Sequence, residues 1–227
     1  MRMPARAIVL VLLLVLPLDL GAQYQDLQLW SSVAFRTDLT TKLRVTIEEE
    51  ARFFENISRL DKLNSDLVID YRLFDNIRIR MLYRLILNGN KDGSFELNHR
   101  FSPAIGYQIR KGTWNIELFA KYQKTYEAFN RSADWYLPEN HIRLEGEVSR
   151  LFNRNRTEPF AGLEFWYYMP QGQVPFVEQW RLTLGVKHKL GPDHRVRLYY
   201  RLQQETGVEN PLLAHIIGVG YLFTWHR

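Results

Sequence analysis

Apolar and polar residues alternate one by one through most of this chain, and that period of two excludes helix for nearly all of it. Between Lys42 and Phe53, Leu43, Val45, Ile47, Ala51 and Phe53 share one face of an extended strand. Lys42, Arg44, Thr46, Glu48, Glu50 and Arg52 share the other. A helix, at about 3.6 residues per turn, would scatter both sets around its circumference.

The pattern recurs in Leu27–Arg36, Asp66–Leu73, Ile77–Leu87, Leu97–Ile109, Trp114–Tyr122, Ile142–Val148, Pro159–Met169, Trp180–Leu190, Val196–Leu202 and His215–Trp225. That makes about eleven strands, close to the ~9–11 residues of a tilted membrane crossing. Short turns at 37–41, 74–76, 111–112, 153–157 and 191–193 alternate with longer polar connections at 55–64, 88–95, 126–138, 170–175 and 204–211. Short periplasmic turns and longer extracellular loops are the habit of outer-membrane barrels, so the fold expected is an all-β, antiparallel up-and-down transmembrane β-barrel. Antiparallel closure takes an even number of strands. The expectation is therefore twelve, with ten as the alternative, and with 55–64 and 23–26 as the places to find another.

The amino terminus points to export. Arg2 and Arg6 precede an unbroken apolar run, Ala7 to Leu16, and Gly21-Ala22 offers small residues for cleavage. Residues 1–22 read as a signal peptide and 23–227 as one barrel domain, because the run is too short for a bilayer-spanning helix. No later window is apolar enough to cross as a helix, and mean hydropathy is −0.31. A Gram-negative outer membrane is the location this predicts. Formal charge is +5, and losing Arg2, Arg6 and Asp19 leaves about +4, spread over many strands, so no nucleic-acid partner is expected.

With the apolar face toward lipid, the other face lines the lumen. It carries Arg44, Arg52, Arg72, Arg78, Arg80, Arg84, Arg100, Arg143, Arg181, Arg195, Arg197 and Arg201, with Glu48, Glu50, Asp66, Asp70, Glu117, Glu145, Glu147 and Glu164 to meet them. Self-paired charges in a narrow lumen are the expectation, ahead of a dedicated anion pathway. Aromatic residues make up 14% of the chain, and Tyr71, Tyr83, Tyr107, Trp114, Tyr122, Trp180, Tyr221 and Trp225 suit the girdles at a membrane boundary. Trp166, Tyr167 and Tyr168 offer a stacking surface. The carboxyl-terminal strand, with Gly220, Phe223 and Trp225, resembles the signal by which barrel-assembly machinery recognises its clients. His226 and Arg227 extend past the final aromatic. Outer-membrane lipid and that machinery are the partners expected; nothing in the pattern specifies an oligomeric state.

Catalytic spacing is weak. A barrel deacylase or phospholipase needs a serine within hydrogen-bond reach of an oriented histidine. His99 and His188 read as outward, and the nearest strand serines are Ser102, of opposite parity to His99, and Ser149. No catalytic residue, cofactor or metal is expected, since no nucleotide loop, zinc spacing or HExxH occurs and Asn88 to Ser94 lacks the terminal glutamate of a calcium loop.

The second half carries Asn140-His-Ile-Arg143-Leu-Glu145, Pro159-Phe-Ala-Gly-Leu-Glu164-Phe-Trp-Tyr, Arg181-Leu-Thr-Leu-Gly185 and Tyr199-Tyr200-Arg201. In these segments, and in length and leader, the chain resembles the DUF2490 family of uncharacterised outer-membrane barrels. The resemblance implies such a barrel and brings no activity onto particular residues. The first reading is a structural or small-channel, porin-like barrel with an Arg/Glu-lined lumen. Its alternatives are a lipid-modifying enzyme and a soluble periplasmic lipid-binding β-protein.

Overall fold

The computed structural model describes residues 24–90, 93–127, 139–154, 156–170, 172 and 174–226, so the leader and most of the 126–138 connection lie outside the described residues. Within them eleven strands follow in order: β1 (Tyr24–Asp38), β2 (Leu43–Phe54), β3 (Arg59–Arg72), β4 (Ile77–Gly89), β5 (Phe95–Lys111), β6 (Trp114–Glu127), β7 (Glu139–Arg150), β8 (Thr157–Tyr168), β9 (Phe176–Lys189), β10 (His194–Glu205) and β11 (Leu212–Trp225). Each pairs antiparallel with the next, and the sheet closes into a barrel.

The expected strand count is corrected to eleven. Closure is made by a parallel pair, β1 beside β11, with Tyr24 opposite Leu212 and Thr37 opposite Trp225. With an odd number of up-and-down strands the first and last run in the same direction, and one parallel seam removes the need for a twelfth. The two places held open for another strand are absorbed by their neighbours: Tyr24–Asp26 begin β1, and Arg59–Asn64 begin β3. The β2–β3 connection shrinks to residues 55–58, so the alternation of short and long connections fails there. Glu55, Asn56 and Ile57 all take positive φ, of 53°, 56° and 67°, to make that tight reversal.

Cross-strand partners set the tilt. The row leaving β1 at Asp38 passes through Arg44, Asp70 and Arg80, continues around the wall through Arg143 and Trp166 to Gln179 and Glu205, and returns beside Tyr24. A stagger of roughly 14 residues over eleven strands corresponds to a tilt of about 40° and a backbone diameter of about 22 Å. Side chains reaching inward from opposite walls meet across that width.

The alternation sorts cleanly into two faces. Outward positions include Val33, Ile105, Leu184 and Leu198, all well exposed. Inward positions include Trp30, Phe119, Phe160, Trp166, Ala214 and Ile216, all buried. Outward polar groups bond one another: Ser65 donates to Glu49 (2.6 Å), and His99, His188, His194 and His215 each bond a hydroxyl on the neighbouring strand, from Tyr83, Thr157, Tyr221 and Tyr200.

Candidate functional site

The interior holds what distinguishes this chain chemically. Its centre is Glu164 on β8, whose carboxylate meets Arg143 of β7 (2.8 Å), Arg181 of β9 (3.5 Å) and Arg201 of β10 (3.4 Å). The register explains the convergence, because Glu145, Glu164 and Arg181 are consecutive cross-strand partners on one inward row. Arg143 also pairs with Glu145, which bonds Lys121 (2.7 Å). Thr183 and Gln203 accept the remaining Nε–H groups of Arg201 and Arg181. With Glu164 and Glu145 set among Arg143, Arg181, Arg201 and Lys121 the layer keeps a net positive charge, but each of these cations has a carboxylate partner, which buried charges require.

Two tryptophans close this layer from either side. Arg143 and Arg181 stack on Trp166 at 4.7 and 4.6 Å from its centroid, and Arg52, Arg181 and Arg201 crowd Trp30 at 3.7, 5.4 and 5.3 Å. Contacts between strands that are not neighbours cross the lumen: Arg100 of β5 lies over Trp166 of β8, and Arg197 of β10 meets Glu147 of β7. Trp30 and Trp166 are only 3% and 6% exposed and Ile216 is fully covered, so the middle of the barrel is filled by side chains.

Other residues expected to line the lumen fall in satellite pairs on either side of the centre. Arg52 bonds Glu50, and Arg84 clasps Asp66 with two 2.6 Å bonds. Glu48 stands opposite Asp66. Arg80 bonds Asp70 (2.7 Å) and Arg44 bonds Asp38 (2.6 Å). Arg78 and Glu117 do not meet directly, and each bonds Gln108 instead. Sequence parity alone did not single out Lys121, Lys187, Asp38 or the inward aromatics, although each has the correct parity. Among the described residues, cavities lie above and below the filled centre, two of them lined mainly by charged and polar side chains. One, of about 440 Å³, lies at the barrel end where β4 finishes and β5 and β7 begin, and is lined by Arg52, Lys62, Asn64, Arg84 and Arg100 with Asp61, Glu96 and Glu139. The other, of about 480 Å³, lies inside the β1–β2 turn.

The stacking surface expected from Trp166, Tyr167 and Tyr168 is not formed. Trp166 turns inward while Tyr167 turns outward. A bulge on β9 displaces Glu178 to meet His141 (2.9 Å), and Tyr168 packs on that histidine. His99 and Ser102 stand on opposite faces of β5, and the Ser149 hydroxyl donates to Glu158 (2.7 Å). At the carboxyl terminus Gly220 faces inward beside Ser32, Phe223 stacks outward on Phe35, and Trp225 is exposed beside Thr37.

The family model described as "Protein of unknown function (DUF2490)" matches residues 27–211. The chain belongs to the DUF2490 family. The match takes in β2 to β10, most of β1 and the connection before β11, so the central Arg–Glu–Trp layer lies inside the DUF2490 region apart from its β11 contributors Ala214 and Ile216. No match was found among curated proteins.

Proposed function

We propose that this DUF2490 protein is an outer-membrane barrel with a lumen sealed at its midpoint, acting as a scaffold between two separate vestibules rather than as an open pore. The observation that carries it is the Glu164 layer: three arginines and two tryptophans from β1, β7, β8, β9 and β10 fill a lumen that narrow strand geometry leaves little wider than two side chains. The continuous apolar exterior supports the membrane part, because a soluble protein rarely exposes a contiguous apolar patch beyond a few hundred Å². A closed barrel also satisfies its backbone without water, the condition for crossing lipid as strands. The leader at 1–22 and the aromatic ending at Gly220, Phe223 and Trp225 support export and assembly, and the longer connections then face the outside.

Two measurements test this. The protein should sediment with outer membranes and show heat-modifiable gel mobility; recovery in the soluble periplasm would overturn the membrane reading. Refolded into a planar bilayer it should give no sustained discrete openings, and a stable unitary conductance would overturn the seal.

A further inference from the structure

The cavity inside the β1–β2 turn breaks a rule kept through the centre of the barrel. Most inward arginines of the middle layers have a carboxylate partner, whereas this cavity gathers Lys42, Arg44, Arg72, Arg78 and Arg110 around two carboxylates, Asp38 and Asp70. Those two are already engaged, Asp38 by Arg44 and Asp70 by Arg80. Lys42, Arg72, Arg78 and Arg110 form no ion pair among the described residues. Glu117, the next carboxylate, is taken up by Gln108 and Asn115.

Their arrangement is not that of charges spread over a solvated surface. Arg72 stands directly opposite Arg78, and the Arg72 backbone amide bonds the carbonyl of Lys42, the turn residue just before β2, so three cations lie side by side in one row. Like charges directly opposite one another are destabilising. The next position in that row is Gly106, whose inward side is covered by the Phe119 ring and brings no carboxylate to the cations. Arg78 is held in place by its bond to the Gln108 side chain, while Arg72 and Arg110 are exposed at the mouth.

We propose that this vestibule is a binding site for a small, multiply charged soluble oxyanion of the phosphate class. Guanidinium forks match phosphate oxygens in pairs, and Lys42 adds a point charge at the rim. The volume of about 480 Å³ admits a di- or triphosphate-sized group and excludes a large polymer. The cations line the inside of the barrel wall, out of reach of a lipid headgroup packed against the outer face, which favours a dissolved anion as the occupant. The seal above it makes the site a blind pocket, but the site rests on its own residues and stands whether or not the lumen conducts.

The test is calorimetric titration of inorganic pyrophosphate into the refolded barrel in phosphatidylcholine nanodiscs at low ionic strength, with R72Q/R78Q, R150Q and D38N alongside. Arg150 lies on the outer face over Trp114, so R150Q controls for charge alone. Saturable binding is expected, weakened at least about tenfold in R72Q/R78Q, unchanged in R150Q, strengthened in D38N and reduced by salt. Heat-modifiable mobility identifies any variant that has not folded, and D38N asks for a gain that misfolding cannot mimic. Absence of saturable binding, or an equal loss in R150Q and R72Q/R78Q, overturns the site. If phosphatidylglycerol nanodiscs abolish pyrophosphate binding, a lipid headgroup is the occupant and the soluble anion is overturned.

Discussion

The Tyr199 ring covers Gly218 on the neighbouring strand so closely that a Cβ built on the glycine would fall within the ring. The two are direct cross-strand partners on the inward face, and Gly185 on the opposite side of Tyr199 makes the same allowance for Phe160. Gly106 does so for Phe119. Tyr199, Phe160 and Phe119 thus lie flat against the wall over glycines, and Trp30 and Trp166 are the aromatics that meet the central arginines. Gly218→Ala should force Tyr199 off its rotamer and cost about 1–3 kcal/mol, as overpacking does. Urea refolding into micelles measures this. Tyr199→Ala removes a buried ring and is costly in itself, but in that background Gly218→Ala should add little further loss, because the clash then has no partner.

Glu164→Gln leaves Arg143, Arg181 and Arg201 without the carboxylate they share. Removing one partner of a buried charge network strands the rest, and the folded barrel should lose about 3–5 kcal/mol. The readout is a lower midpoint for heat-modifiable mobility. Replacing Lys187, whose partners Glu147 and Glu158 lie away from the centre, should cost clearly less.

Leu198 and Val208 are equally exposed at 52%, one at the middle of β10 and the other in the connection before β11. In water, arginine at either position would change stability within about 0.5 kcal/mol. In a bilayer Leu198→Arg sits in the apolar band and should cost about 2–4 kcal/mol while Val208→Arg stays neutral. Folding yield into lipid vesicles separates the two, and equal behaviour would count against a lipid-facing exterior.

Face assignment was legible in the sequence because it depends on one property, parity along a strand. That placed Arg44, Asp70, Arg143, Glu164 and Arg201 on the same side as Trp30 without knowledge of any partner. Partnership was not legible. Which carboxylate meets which arginine depends on register around the whole wall, and register depends on turn geometry such as the positive-φ reversal at Glu55–Ile57. The inward aromatics were hidden for another reason: Trp30 and Trp166 are covered by guanidinium planes rather than by apolar neighbours, so no apolar pattern marks them.

The odd strand count was legible as well, and the assumption of all-antiparallel pairing is what pushed it to twelve. A strand's own residues carry no sign of the direction of its partner, so the parallel seam of β1 and β11 is visible only when the barrel closes. That seam can be tested directly, because the chain contains no cysteine of its own. Leu29 and Ile217 are partners across it on the outward face. At a strand spacing of about 4.8 Å their Cα atoms fall within disulfide range. Oxidised L29C/I217C should therefore run as a covalently closed species whose gel mobility reverts on reduction. L29C/Y221C, displaced four residues or roughly 13 Å along β11, should stay open. Efficient closure of the displaced pair, or of neither, would mean that the barrel is sealed by a different register or by a strand that the parallel seam makes unnecessary.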